Sequence, residues 1–203
     1  MRPAPPGTLT ALDVIFMRRS VRAYTSQPLE DTTIRGLLEA AVQAPTAMHE
    51  EPWAFVVVQD RALLKRYSDT AKGHWATEVS RYRDLHRGTD AATATAFAER
   101  FASPDFCIFY DAPTLIAICA KQPGPFAAAD CWMAAENLML AACALGLGSC
   151  CIGSAIPVLN SPAIKAEWGL PPSVEVVVPI IVGVPSAAAV ESPRRPPDIL
   201  AWK

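Results

Sequence analysis

Apolar positions along this chain fall into two periods, and the elements follow from them. Thr10 followed by Leu12, Ile15, Phe16 and Arg19 at helical spacing predicts a short N-capped helix that ends at a cluster of arginines. Tyr24-Thr25-Ser26-Gln27-Pro28 breaks the pattern. A second helix, capped by Asp31, carries Ile34, Leu37, Leu38, Ala41 and Val42 on one face and stops near Ala44-Pro45. Ala54–Val58 and Thr114–Ala120 read as fully buried strands, and Val174–Val184 as a third strand whose Pro179 argues for an edge or a bulge. Residues 60–72 look helical, while 73–101 are polar, Ala/Thr-rich and predicted to form a mobile helical excursion over a site. A long helix, nearly apolar all round, spans about Ala127 to Leu145 and closes on Gly146; such a helix is a domain centre or a subunit interface. Ser161-Pro162 opens another helix that ends near Gly169.

The expected organisation is a flexible Pro-rich arm at 1–8, a single domain at 9–190 and an extended C-terminal arm at 191–203 that lies against another subunit. A chain of 203 residues suffices for one domain with a proper core. The formal net charge of -2 excludes a polyanion-binding surface, so no nucleic-acid partner is expected. The stretch Phe126–Leu147 is apolar enough to raise the question of a membrane span, but Asp130, Glu136 and Asn137 interrupt it. Each charge at the centre of a span costs about 2.5 kcal/mol or more, so a buried helix is the expectation and no membrane partner is inferred. The segment Met1–Gly7 lacks an apolar signal core. The six cysteines form no Cys-x-x-Cys and no Cys/His metal spacing, which points to free thiols in a reducing, cytoplasmic setting and to no metal site.

Candidate chemistry gathers in four places. In Arg18-Arg19-Ser20-Val21-Arg22 an extended backbone would turn Arg18, Ser20 and Arg22 to one side, a donor-only surface for phosphate or another planar anion. The same arginines at a helix C-terminus also suit a solvated end that complements the dipole. The polar loop Pro45-Thr46-Ala47-Met48-His49 leads through Pro52-Trp53 into a strand that would fix it. Gly148-Ser149-Cys150-Cys151-Ile152-Gly153 is small enough for a ligand to approach the backbone N–H groups. Arg194-Arg195 sits in the C-terminal arm. His74 and His86, with Trp75, Tyr82 and Arg87, fall in the 73–101 excursion, which either lies over a site or is an ordinary surface helix.

Together and in this order the four stretches resemble the nitroreductase family of FMN-dependent oxidoreductases. The resemblance covers nearly the whole chain. It implies an α+β fold with a mixed central sheet surrounded by helices, and an intertwined homodimer with flavin sites at the interface and an exchanged C-terminal arm. It implies that Arg18, Arg19 and Ser20, with Arg194 or Arg195, hold the FMN phosphate, and that Arg22 lies by the pyrimidine edge of the flavin. Pro45, Thr46, Ala47, Met48 and His49 would come from the other subunit, and N–H groups near Cys151, Ile152 and Gly153 would face the ring. His49 and Glu51 depart from the asparagine and glutamine of many relatives, so flavin binding would couple to His49 protonation. The vicinal pair Cys150-Cys151 invites a redox role, but small apolar packing is the favoured reading. No residue looks like a dedicated acid, base or nucleophile, as expected if the flavin carries the hydride chemistry. The implied activity is ping-pong transfer from NADH or NADPH, as transient electron donor, to a small acceptor such as a nitroaromatic or quinone. A specialised dehalogenase or flavin-fragmenting enzyme, and a non-catalytic flavin-binding protein, are the alternatives. The absence of Gly-x-Gly-x-x-Gly after a strand means that no Rossmann domain holds the nicotinamide.

Overall fold

A capping box starts the first element. Thr10 Oγ1 accepts from the Asp13 N–H at 3.2 Å and Asp13 Oδ2 accepts from the Thr10 N–H at 2.8 Å, which opens α1 (Ala11–Met17). The structure, a computed structural model, describes residues 9–85, 99–188 and 193–203, with backbone alone for 76–85. The arm expected at 1–8, the domain boundary at 190/191, His86, Arg87 and the Tyr82 side chain therefore lie outside the described residues.

Helix α2 (Asp31–Ala41) buries Ile34, Leu37 and Ala41. Its N-cap is Glu30, which makes no side-chain capping bond, so Asp31 is the first helical residue and not the cap. Strand β1 (Trp53–Val58) follows, then α3 (Arg61–Leu85), whose first turn is closed by Asp60 Oδ1 accepting from the Ala62 and Leu63 N–H groups at 2.8 and 3.0 Å. The helix runs well past residue 72 and takes in the first part of the expected excursion. After β2 (Thr114–Ala120), α4 (Ala127–Ala144) ends in a Schellman motif: Gly146 has φ +74°, its N–H bonds Cys143 O at 3.0 Å, and the Leu147 N–H bonds Ala142 O at 2.8 Å. Then come β3 (Gly148–Cys151), the short α5 (Ile156–Leu159), α6 (Pro162–Glu167) capped by Ser161, and β4 (Glu175–Gly183).

The strands form one sheet in the order β1-β2-β4-β3, and every neighbouring pair is antiparallel. The mixed sheet expected from the sequence is thereby corrected: the parallel element among the described residues is an isolated bridge, Ser20 to Ser149. Two further expectations change. β1 is an edge strand, so it is half-buried instead of fully buried, and Val57 is exposed. β4 is central, and Pro179 is tolerated there because its carbonyl accepts from the Ile152 N–H at 2.8 Å, just past the end of β3. A strand residue turns its N–H and C=O to the same side, so the missing donor faces a position with no ladder partner. The bulge is also present: Ile118 pairs Val178 while Cys119 pairs Val176, leaving Val177 extra.

Period two sends Leu115, Ala117 and Cys119 of β2 to one face, against Tyr67, Phe109 and Leu159. Ile116 and Ile118 go to the other, against Leu37 of α2 and Leu138 of α4. α4 is thus a core helix, and no helix among the described residues is long and apolar enough to cross a membrane.

Candidate active site

The site begins where α1 stops. Arg18 has ψ 132°, so the chain leaves the helix extended. The Val21 N–H donates to Ser149 O at 3.0 Å, laying the arginine segment along β3. Gly148 makes this approach possible: a Cβ there would stand 2.7 Å from the Val21 side chain. Val21 is buried while Ser20 and Arg22 are exposed, the alternation that extended backbone dictates. Tyr24 secures the turn by donating its hydroxyl to Val21 O at 2.8 Å. Burial drives the Tyr24 phenol far above its ordinary pKa, so it remains a donor.

The three arginines divide. Arg18 Nε pairs with Glu136 Oε1 of α4 at 3.3 Å. Arg19 Nη1 donates to Phe16 O at 2.6 Å and Arg18 O at 2.8 Å, closing the C-terminal end of α1, while its Nε is buried without an acceptor among the described residues. Arg22 instead lines a cavity of about 400 Å³, together with Cys150 through Ser154. The opposite wall is aromatic: Trp75, Phe101, Phe106 and Tyr110. Trp75 Nε1 donates to Ser154 O at 2.8 Å, tying α3 to the turn after β3. The Phe106 ring stands 5.5 Å from Phe101 and 5.6 Å from Tyr110, centre to centre.

At the floor, Gly153 is open and its N–H has no partner among the described residues, whereas the Ile152 N–H is bonded to Pro179 O. Ile152 therefore offers no backbone donor to a ring, which corrects that expectation and leaves Gly153 to supply it. Burial raises the Cys150 thiol and pushes Cys151 up to about 11, so both are neutral thiols at ordinary pH and pack as small apolar groups.

Two predicted pieces stand apart from this cavity. Neither the loop at Pro45, Thr46, Ala47, Met48 and His49 nor Arg194 and Arg195 contribute to its lining. The loop is nonetheless built: Met48, His49 and, beyond a right-handed Glu50, Glu51 have φ of 53°, 56° and 42°, left-handed conformations that cost on the order of 1–3 kcal/mol each and that cluster at functional segments. Asp130, buried in α4, holds it by accepting from the Ala47 N–H at 3.3 Å. Met48 is 87% exposed. Arg194 and Arg195 lie in an extended, exposed tail. Sequence reasoning missed Asp130 as the loop's anchor and Phe101, Phe106 and Tyr110 as a wall. An acid in the first turn of a nearly apolar helix was the available signal for the first.

The model of the Nitroreductase family matches residues 15–184. The chain belongs to the nitroreductase family. A protein of Archaeoglobus fulgidus carried under the provisional name NADH dehydrogenase/NAD(P)H nitroreductase is 30% identical over 179 residues, 86% of this chain and 84% of its own. A nitroreductase from Bacteroides fragilis, solved with bound FMN, superposes with a TM-score of 0.78 at 29% identity, covering 97% of this chain and 100% of that one. An iodotyrosine deiodinase bound to FMN and 3-iodo-L-tyrosine shares the fold, with a TM-score of 0.74 at 20% identity over 96% of this chain and 100% of that one.

The residues of this nitroreductase-family chain fit FMN on their own chemistry. Arg18, Arg19 and Ser20 are consecutive hydrogen-bond donors in the chain, and the buried Arg19 Nε lacks an acceptor among the described residues, the group that a phosphate supplies. The adjoining cavity is lined by aromatic rings and is within the range of roughly 300–1,000 Å³ of a small-ligand site.

Proposed function

We propose that this protein is an FMN-dependent NAD(P)H oxidoreductase that reduces a small organic acceptor, working as a homodimer. The observation that carries the reading is the Ser20–Ser149 bridge, which brings the arginine turn beside Gly153 so that Arg22 and the Gly153 N–H line one aromatic cavity in a nitroreductase-family chain. The names of the Archaeoglobus and Bacteroides relatives support the donor and the cofactor.

FMN, when bound, takes a hydride from NAD(P)H and returns the electrons to the acceptor. Arg18, Arg19 and Ser20 hold its phosphate, with Arg194 or Arg195 arriving from the second subunit. Nearly two negative charges on the phosphate call for at least two guanidinium groups. Arg22 places a cation at the pyrimidine edge, where negative charge accumulates on reduction, and so favours the reduced state. The Gly153 N–H donates to the ring edge, and Trp75, Phe101, Phe106 and Tyr110 exclude water and give a nicotinamide or an acceptor a face to stack on. One pocket serves both ligands, so the oxidised donor leaves before the acceptor enters. The loop at 45–49 completes the partner's site. Free thiols at all six cysteines agree with a cytoplasmic setting.

Purified protein should be yellow, release FMN on denaturation, and be bleached by NADH or NADPH and reoxidised by a nitroaromatic or quinone, with the flavin spectrum intact over many turnovers. Colourless protein that takes up no FMN would sink the reading. Flavin consumed with turnover would indicate a flavin-fragmenting enzyme, and bound flavin that neither nicotinamide reduces would indicate a binding protein.

A further inference from the structure

We propose that Arg100 is the recognition residue of an anion subsite at the cavity's aromatic wall, so that the site selects flat, conjugated ligands carrying a carboxylate or a phosphate. This rests on the functional reading above and extends it to the class of ligand. Arg100 stands on the helical turn at 99–102. Its guanidinium carbon lies 4.6 Å from the centre of the Phe106 ring and 5.2 Å from that of Tyr110, and both rings line the cavity.

A guanidinium held against a ring keeps its five N–H donors in one plane, as a fixed fork that suits a planar anion. Arg100 belongs to none of the ion pairs among the described residues, and no aspartate or glutamate among them lines the cavity. Tyr110 has φ 52°, a conformation that a bulky residue holds only where its surroundings impose it. That conformation brings its ring within reach of Arg100 and also of Arg22, 5.9 Å from its centre. With Arg22 assigned to the flavin edge, Arg100 is the other cation against these rings among the described residues; it is not itself a lining residue and borders the cavity through the rings. A flat ligand gains stacking from one of the two rings, which stand at 78° to each other, and an anionic one also gains charge-assisted bonds that a neutral analogue lacks.

The anion has two sources of the same chemistry, the carboxylate of an acceptor or the pyrophosphate of the nicotinamide donor. The test measures binding to the oxidised holoprotein by calorimetry. The probes are para-nitrobenzoate, para-nitrobenzamide, NAD⁺ and NADP⁺, the last two carrying the pyrophosphate without reducing the flavin, and the proteins are wild type, Arg100→Gln and Arg100→Lys, each checked for FMN content and melting temperature. Wild type should bind the benzoate about tenfold more tightly than the amide, Arg100→Gln should bring that ratio close to one, and Arg100→Lys should retain part of it. If the ratio holds but Arg100→Gln weakens NAD⁺ or NADP⁺ binding about tenfold, the subsite stands with the dinucleotide as its ligand. A folded, FMN-replete Arg100→Gln protein with unchanged acceptor ratio and unchanged dinucleotide affinity overturns the proposal. Failure of either nicotinamide to reduce wild-type flavin, with the binding preference intact, would defeat the oxidoreductase reading and leave the subsite standing.

Discussion

At the scale of single residues, the arginine cluster separates into distinct environments, and the separation is testable. Arg18 is part-buried and paired with Glu136, whereas Arg22 faces the cavity. Arg18→Ala should weaken FMN binding by about 1.5–3 kcal/mol, the worth of a charge-assisted hydrogen bond, with little effect on potential. Arg22→Ala should retain more FMN but lower the flavin midpoint potential by roughly 20–60 mV, equivalent to ~1–3 kcal/mol for two electrons. Fluorescence titration and a redox titration read the two; equal FMN loss and an unchanged potential in both would refute the division. The buried thiols make a separate prediction. From an ordinary 9.0, burial first of all pushes Cys131 to about 11 and Cys119 to about 12. Unfolded thiols ionise near pH 9 while the folded ones stay protonated, so their contribution is complete below that pH and is lost as pH rises toward 11–12. Melting temperature should fall above about pH 9, and Cys119→Val should make the fall shallower; an unaltered slope would exclude the thiol as its cause.

At the scale of elements, the contact that makes the site is the seam between the arginine segment and β3. Gly148→Ala would put a methyl 2.7 Å from Val21 Cβ and Cγ1. The segment must then lift from β3, carrying Arg22 away from Gly153. We expect a loss of about 1–3 kcal/mol in stability, typical of overpacking, together with weaker FMN binding. Gly153→Ala meets open space and serves as the control on stability, so equal destabilisation by the two would contradict the seam. This seam also marks what the sequence made legible. Helix ends were readable because their signals are local: Thr10 with Asp13, Gly146, and Ser161 before Pro162 all act within one turn. The strand character of Gly148–Cys151 was not, because a four-residue run of small residues has no periodicity, and only the ladder to β4 makes it a strand. The strand directions and the central place of Pro179 likewise depend on pairings between segments far apart in the chain. Arg22 and the Cys151–Gly153 stretch, named from the sequence, line one cavity, but the division of labour among the arginines was not visible. Whether an N–H is free, as at Gly153, or already bonded, as at Ile152, is settled by tertiary contacts alone.

At the scale of the whole molecule, one copy of the chain leaves large apolar side chains exposed on two helices and on the tail. Phe16, 72% exposed, and Leu12, 64% exposed, lie on α1, and Trp132 and Met133 face outward from α4. Leu200 and Trp202 of the tail are 94% and 88% exposed. Apolar surface on this scale calls for a partner, and a second copy suits it because it would also bring Arg194, Arg195 and the strained 45–49 loop to a site that lacks them. Light scattering should give about twice the 21.8 kDa chain mass. The sharper prediction concerns where the tail acts. Consider a mixed dimer of one copy carrying Arg18→Ala and one carrying Arg194→Ala with Arg195→Ala. If each tail serves its own copy, both sites have lost one part of the phosphate cradle and both bind FMN weakly. If the tail crosses, one site has lost both parts and the other neither, so half of the sites should bind FMN with wild-type affinity. Titration of the purified mixed dimer reads the outcome directly: a tight phase at half occupancy supports the exchanged arm, and a single weakened phase at full occupancy rules it out.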